Sequence, residues 1–249
     1  MSKITFLGTA SAVPARNQQN SHFILQAGER HFLVDCVGNP VVRLAEAGID
    51  PLVVTDLVLT HFHPDHVSAV PLFLMDLWLM GRTAPLEVYG LQDNIDRFEK
   101  LMALFEWERW SDFYPVHVHP LGSEERMPFY TDEEVQGWAS PVCHMIPAIG
   151  LRFALPEGVL AYSTDTSPCE AVVRLAGGAD ILVHEATGFS NGHSSAAEAG
   201  QVAAQAGAKT LVLTHYNPGS DMEALKRQAQ STFSGEVIVA KDLMTLIVG

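Results

Sequence analysis

The chain of 249 residues is 47% hydrophobic and carries 15 lysines and arginines against 29 aspartates and glutamates, a formal charge of −14 at pH 7. A chain this long buries a large core and is ordinary for a single α/β domain, so one domain over residues 1–249 is expected. The acidic balance, with no Lys/Arg cluster in the sequence, disfavours a long polyanion as partner, and no apolar run reaches the roughly eighteen residues of a membrane span.

Residues 4–7 form a strand ending at Gly8, entered directly without the basic region, apolar stretch and cleavage site of a leader, and a cytoplasmic location is expected. A loop of small and polar residues follows to Asn20. Residues 23–25 and 32–34 are strands joined by a turn at Gly28 and Glu29. Asp35 closes the second strand, where a carboxylate either caps a turn or orients a metal-binding histidine from behind. After a helix over 39–48 and a strand over 56–60 comes Thr-His-Phe-His-Pro-Asp-His, residues 60–66. Its histidines His61, His63 and His66 and its aspartate Asp65 cannot all face one way on a helix or strand, so they need a tight loop. The apolar run 57–59 supplies a buried strand, Pro64 breaks the chain, and Val67 opens a helix. A strand delivering imidazoles into a loop at its end converges nitrogen and oxygen donors on a borderline metal such as zinc, which makes this pattern a specific signal.

Beyond the loop, residues 67–80 are expected as a largely buried helix with Pro71 near its start and Gly81 at its end. A strand over 86–89 and a helix over 94–107 lead to Phe105, Trp107, Trp110, Phe113 and Tyr114, which are either core or one wall of a pocket. His117 and His119 share one face of a strand. With no carboxylate near them in sequence, they are expected on a half-exposed strand and not as a metal pair. A strand over 138–145 carries His144, and a hairpin over 150–155 and 159–162 delivers Asp165. The strand 181–183 ends in His-Glu-Ala-Thr, with His184 expected to be structural, and a short loop then carries His193. Ser195 and Glu198 form a capping box for a helix reaching Ala206, stopped by Gly207. Residues 211–215 repeat residues 57–61 letter for letter, which implies two similar halves, each offering a histidine at the same end of its sheet. A helix over 222–230 and strands over 237–239 and 244–248 complete the pattern. Cys36, Cys143 and Cys169 are too scattered for a disulfide framework and fit a reducing compartment. Cys143, on the strand leading to His144, is expected as a buried thiol facing the other way.

Residues 61–66 resemble the signature of the metallo-β-lactamase superfamily. The flanking Phe-Leu-Gly-Thr (6–9), Ser-Thr-Asp-Thr (163–166), His-Glu-Ala-Thr (184–187), Gly-His-Ser-Ser (192–195) and Leu-Thr-His (213–215) resemble its ribonuclease Z branch over nearly the whole chain. The resemblance implies an α/β (α+β) fold, a four-layer αββα sandwich, and two divalent ions. These are expected to be zinc, with manganese or iron accepted by the same donors. His61, His63 and His144 would hold one ion, Asp65, His66 and His215 the other, and Asp165 would bridge. Asp65 would orient the attacking water and take its proton, and His193 paired with Glu185 would protonate the departing group. Ribonuclease Z proper carries a long basic arm between the third-motif histidine and the bridging aspartate. Here His144 and Asp165 stand 21 positions apart, all used by the hairpin, so the arm that grips tRNA is expected to be absent. The expected activity is hydrolysis of small phosphodiesters by a metal-dependent, ribonuclease Z-like homodimer. The alternatives are a tRNA 3′-processing endoribonuclease, a hydrolase of aryl sulfates or lactones, and a non-catalytic metal-binding protein.

Overall fold

In the computed structural model, which describes residues 1–188 and 190–249, the first half of the chain builds one sheet and the second half another. The first half contains β1 (Lys3–Gly8), β2 (His22–Ala27), β3 (Arg30–Val34), α1 (Pro40–Glu46), β4 (Asp56–Leu59), α2 (Pro64–Val67), α3 (Val70–Leu79), β5 (Leu86–Leu91), α4 (Gln92–Ala103) and β6 (Val116–Leu121). The second contains β7 (Met127–Thr131), β8 (Gln136–Pro141), β9 (Ile149–Leu155), β10 (Gly158–Tyr162), α5 (Glu170–Leu175), β11 (Ile181–Glu185), α6 (Ala196–Ala206), β12 (Thr210–Thr214), α7 (Met222–Gln230), β13 (Glu236–Val239) and β14 (Thr245–Ile247). Two seven-stranded sheets result, ordered β14-β1-β2-β3-β4-β5-β6 and β13-β12-β11-β10-β9-β8-β7. The last strand therefore leaves its own half and pairs antiparallel with β1, setting Lys3 opposite Ile247 and Thr5 opposite Thr245.

The repeated Leu-Val-Leu explains the layering. Side chains alternate across a strand, so Val58 and Val212 point into the core between the sheets, while Leu57, Leu59, Leu211 and Leu213 point outward under the helices. The central core is rich in aromatics: Phe23 meets Tyr162 edge-on at 5.0 Å, and Phe32 lies 5.3 Å from Phe153. Burying each such side chain stabilises the fold by roughly 1.5–3 kcal/mol. On the outer faces α3 and α4 cover the first sheet and α6 and α7 cover the second, which gives the four-layer αββα order expected from the sequence. β4 runs parallel to β3 and β5, and β11 parallel to β10 and β12, so in each half the parallel strands deliver their carboxyl ends to one rim.

Four local readings change. The helix expected over 67–80 is two helices, because the Ala69 amide bonds to the Cys36 carbonyl at 3.1 Å instead of continuing the first turn, and Pro71 suits the start of a new helix. Its outer face is not buried: Leu79 is 67% exposed and Leu72 is also exposed. β7 was hidden in the sequence by Pro128, which a sheet tolerates here because β7 is an edge strand with a bulge. The short α5 carries no side-chain cap to announce it. Of the aromatic cluster, Tyr114 is buried and Trp107, Trp110 and Phe113 pack against the outer core of the first sheet, with Trp78 stacked on Trp110, so these four belong to the core, whereas Phe105 is 53% exposed.

Candidate metal centre

The candidate ligands leave the ends of strands or the turns beyond them. His61 follows β4, His63 caps α2, and Asp65 and His66 lie within it; His144, Asp165 and His215 lie beyond β8, β10 and β12. The loop after β1 docks beside them, with the Ser11 amide on the Tyr216 carbonyl at 3.1 Å and the Tyr216 amide on the Thr9 carbonyl at 3.2 Å. Around this rim Asp35, Thr164 and His215 all adopt left-handed φ, at 62°, 51° and 50°. For residues other than glycine this costs roughly 1–2 kcal/mol each, so tertiary contacts hold the backbone in these turns.

Two groups of donors converge. His61 Nε2 and His144 Nε2 each lie 3.1 Å from His63 Nδ1, while His66 Nε2 and His215 Nε2 each lie 3.6 Å from Asp65 Oδ2. Asp165 stands between the groups, with Oδ2 3.4 Å from His66 Nε2 and His215 Nε2 and 3.9 Å from His61 Nε2. Donors about 2.0–2.1 Å from one tetrahedral ion are separated from one another by about 3.4 Å, so these spacings fit one cation per group. The buried Nε2 atoms of His66 and His215 and Oδ1 of Asp165 have no hydrogen-bond partner among the described residues. Such bare atoms cost about 1–3 kcal/mol each unless they are paired, and this set of imidazole nitrogens and carboxylate oxygens suits a divalent cation.

The other ring nitrogens show why the donors face inward. The His66 Nδ1–H donates to Asp35 Oδ2 at 2.7 Å, and the His144 Nδ1–H donates to the Gly192 carbonyl at 2.7 Å. Thr60 Oγ1 donates to Asp35 and so accepts from His61 Nδ1 at 3.1 Å. Thr187 Oγ1 donates to the His215 carbonyl and so accepts from His215 Nδ1, both at 2.8 Å. In these four histidines Nδ1 holds the proton and Nε2 is left bare, whereas His63 turns Nδ1 inward. Burial lowers the pKa of His61 and of His144, which favours the neutral form that binds metal. Gly192 is required at its position, since a Cβ there, at a φ of +79°, would come 2.9 Å from His144 Nδ1. Replacing Thr187 with valine removes the tie on His215. A fall of about 10–100-fold in metal affinity is expected, read by competition with a chelator, and unchanged affinity would show that His215 needs no such support.

Glu185 is fully buried and accepts the Ser194 amide at 2.6 Å and the Thr187 amide at 2.8 Å. His193 Nδ1 stands 3.3 Å from Glu185 Oε1, an ion-pair distance. Burial opposes charge on this imidazole, but Glu185, and then Asp165, hold its pKa above the usual value. His193 also lies within donor distance of His144 and Asp165, so the structure places it beside the metal groups as well as beside its carboxylate. A cleft of about 340 Å³ opens over these residues, walled by Val13, Pro64, Met145 and Asn217. None of the described residues lining it is a lysine or arginine.

The remaining candidates fall outside. His184 is buried, with Nδ1 2.8 Å from the Glu185 carbonyl oxygen, and belongs to no donor group among the described residues. His117 and His119 lie on β6 as expected, but a carboxylate does stand beside them. Glu87 on the neighbouring strand takes His117 Nδ1 at 2.9 Å and His119 Nε2 at 2.5 Å, a contact that spacing along one strand could not show. Cys143 is exposed and not buried, because β8 ends at Pro141 and the strand alternation no longer applies.

The family model described as "Anti-Pycsar protein Apyc1" matches residues 2–237. The chain belongs to that family. This Apyc1-family chain is also 32% identical to the ribonuclease Z of Methanothermobacter thermautotrophicus, over 99% of this chain and 96% of the relative. It is 29% identical to the ribonuclease Z of Mycobacterium bovis, over 98% and 97%. Among solved structures, the metallo-β-lactamase fold protein YhfI from Bacillus subtilis superposes with a TM-score of 0.84 at 24% identity, covering 99% of this chain and 100% of that one. Human tRNase Z, short form, superposes with a TM-score of 0.81 at 26% identity, covering 99% of each. The Apyc1-family chain is thus a ribonuclease Z-like hydrolase of the metallo-β-lactamase fold, with histidine and aspartate groups able to hold divalent metal. The supporting roles of Thr60, Thr187 and Gly192 went unread in its sequence. Each of the three stands beside a recognisable histidine, acid or motif, but its role depends on where a hydroxyl or carbonyl points.

Proposed function

We propose that residues 1–249 form one catalytic unit, a di-zinc phosphodiesterase acting on small phosphodiesters. His61, His63 and His144 would hold one ion and Asp65, His66 and His215 the other, with Asp165, whose Oδ2 lies within 3.9 Å of donors in both groups, shared between them. Bound there, two divalent cations would make a water more acidic and polarise the phosphoryl group. Asp65, partly exposed at the cleft, orients the incoming water and takes its proton on the carboxylate. Glu185 keeps His193 protonated with Nδ1 turned toward it, which leaves Nε2 to donate a proton to the departing alkoxide. A poor leaving group needs that acid, which favours phosphodiesters over activated esters.

The observation that carries the choice of a small substrate is the β9–β10 hairpin, which takes up residues 149–162 of the short span between His144 and Asp165 where a tRNA-gripping arm would be inserted. The alignment to the Methanothermobacter relative runs over 296 residues against 249 in this chain, so that relative carries segments this chain lacks. Binding a long nucleic acid depends on lysines and arginines at its phosphates, and the chain is at −14 with none lining the cleft among the described residues. A second reading, action on tRNA, is favoured by the names of the relatives. The test is kcat/KM at moderate salt on a precursor tRNA and on a small phosphodiester. The small substrate is expected to be preferred, and a preference for the precursor with a steep salt dependence would overturn the proposal.

A further inference from the structure

Two of the three cysteines meet beside the metal groups. Cys143, exposed, and Cys169, half-buried, stand on neighbouring segments, with the Cys169 thiol close enough to oppose ionisation of the Cys143 thiol. Thr166 ties them independently of that contact: its Oγ1 accepts the Cys143 amide at 3.2 Å and lies 3.8 Å from Cys169 Sγ. The Ser167 amide donates to the Cys143 carbonyl at 2.8 Å, so residues 143 and 167 are locked side by side as an antiparallel bridge. Along the chain, Cys143 precedes His144 and Thr166 follows Asp165. Each locked segment therefore carries one candidate ligand. Cys36, fully buried, lies outside this pair.

We propose that Cys143 and Cys169 are a modification site, a dithiol that closes to a reversible disulfide with low-molecular-weight disulfides and by closing displaces His144. The exposed Cys143 attacks a sulfur of the small disulfide, forming a mixed disulfide and releasing one thiol that carries away the proton. Cys169 then attacks the Cys143 sulfur, and the second small thiol leaves with the second proton. The protein is oxidised by loss of two hydrogens, and the reagent is reduced to two thiols. A disulfide fixes the sulfurs about 2.05 Å apart with a defined torsion, and Cys143 is one peptide bond from His144, so closing the bond constrains the backbone that also places that imidazole. The reaction is run at mildly alkaline pH, where the attacking thiolate is more abundant.

The effect on rate rests on the assignment of His144 as a ligand; formation of the bond does not. Metal-loaded protein is treated with oxidised glutathione, and free thiols, intact mass, metal content and phosphodiesterase rate are followed. The expected result is loss of two thiols, a mass lower by two hydrogens with no adduct, and a 143–169 cross-linked peptide. Metal retention and rate should fall on the order of tenfold, and dithiothreitol should restore them. Cys143→Ser and Cys169→Ser should keep the untreated rate and gain no cross-link. A stable glutathione adduct on Cys143 without the internal bond, or no reaction, overturns the site. A cross-link that leaves metal content unchanged overturns the coupling to His144. A cross-link with metal loss in a protein inactive on every phosphodiester leaves the site standing and sinks the proposed function.

Discussion

Asp65→Ala is expected to lose one of the two metals and to cut turnover on the order of 10³-fold or more, in a protein that still folds. Asp65 Oδ2 is equidistant, at 3.6 Å, from the bare nitrogens of His66 and His215, so its removal opens that donor group at its centre. The three histidines of the other group do not depend on it, since His61 and His144 are held against His63 and braced by Thr60 and Gly192. Metal analysis should therefore show about half the wild-type content. The rate falls further than loss of an ion alone would require, because the same carboxylate takes the proton from the water. Asp65→Asn separates the two roles: a carboxamide can still donate an oxygen to metal but is a poor base. If Asp65→Ala keeps both its metal content and its rate, the assignment fails.

His193→Ala should behave in the opposite way, keeping both metals and losing rate according to the leaving group. A general acid contributes about 10²–10⁴-fold when the departing alkoxide is a strong base, and little when it is an activated phenolate. The expectation is a loss in that range on alkyl diesters and a much smaller one on aryl diesters. Loss of metal in the variant would instead make His193 a ligand, a position its distances to His144 and Asp165 also permit. The pH dependence follows from the pair. Burial disfavours the charged imidazole, but Glu185 and then Asp165 raise its pKa above 6.5, so the acid stays protonated at a pH where a free imidazole has lost its proton. The rate on alkyl esters should fall as pH rises through that raised value. Glu185→Gln removes the main carboxylate and should bring the alkaline fall to lower pH. An alkaline limb that does not move in Glu185→Gln would take His193 out of the acid role.

How much of this was legible before the structure depends on whether the information is local. The repeated Leu-Val-Leu-Thr-His showed two strands of alternating burial, and the capping box at Ser195 and Glu198 fixed the start of α6, because caps and alternation act over a few residues. The motif order named seven candidate ligands, and their donor atoms lie in two neighbouring groups. What stayed hidden depends on contacts between distant segments. No spacing along one strand reveals that Glu87 lies against His117 and His119, or that the Ala69 amide turns to Cys36 and splits a helix. Cys143 was misjudged for a related reason: strand alternation was extended two residues past the point where β8 ends.

The placement of β14 bears on how the molecule is made. Lys3 on β1 finds its partner only when Ile247 has been synthesised, 244 positions later. Until then the emerging first sheet has an unpaired outer edge on β1, with backbone donors and acceptors open to any other nascent strand. Late, long-range closure of this kind slows folding, because the loop entropy is lost before the contact is gained. Until residues 245–247 have been made, the first half is therefore one strand short. Truncating the chain before Thr245 should then unsettle the amino-terminal sheet, the one furthest away in synthesis, and should show itself as aggregation during expression more than as a weakened second sheet.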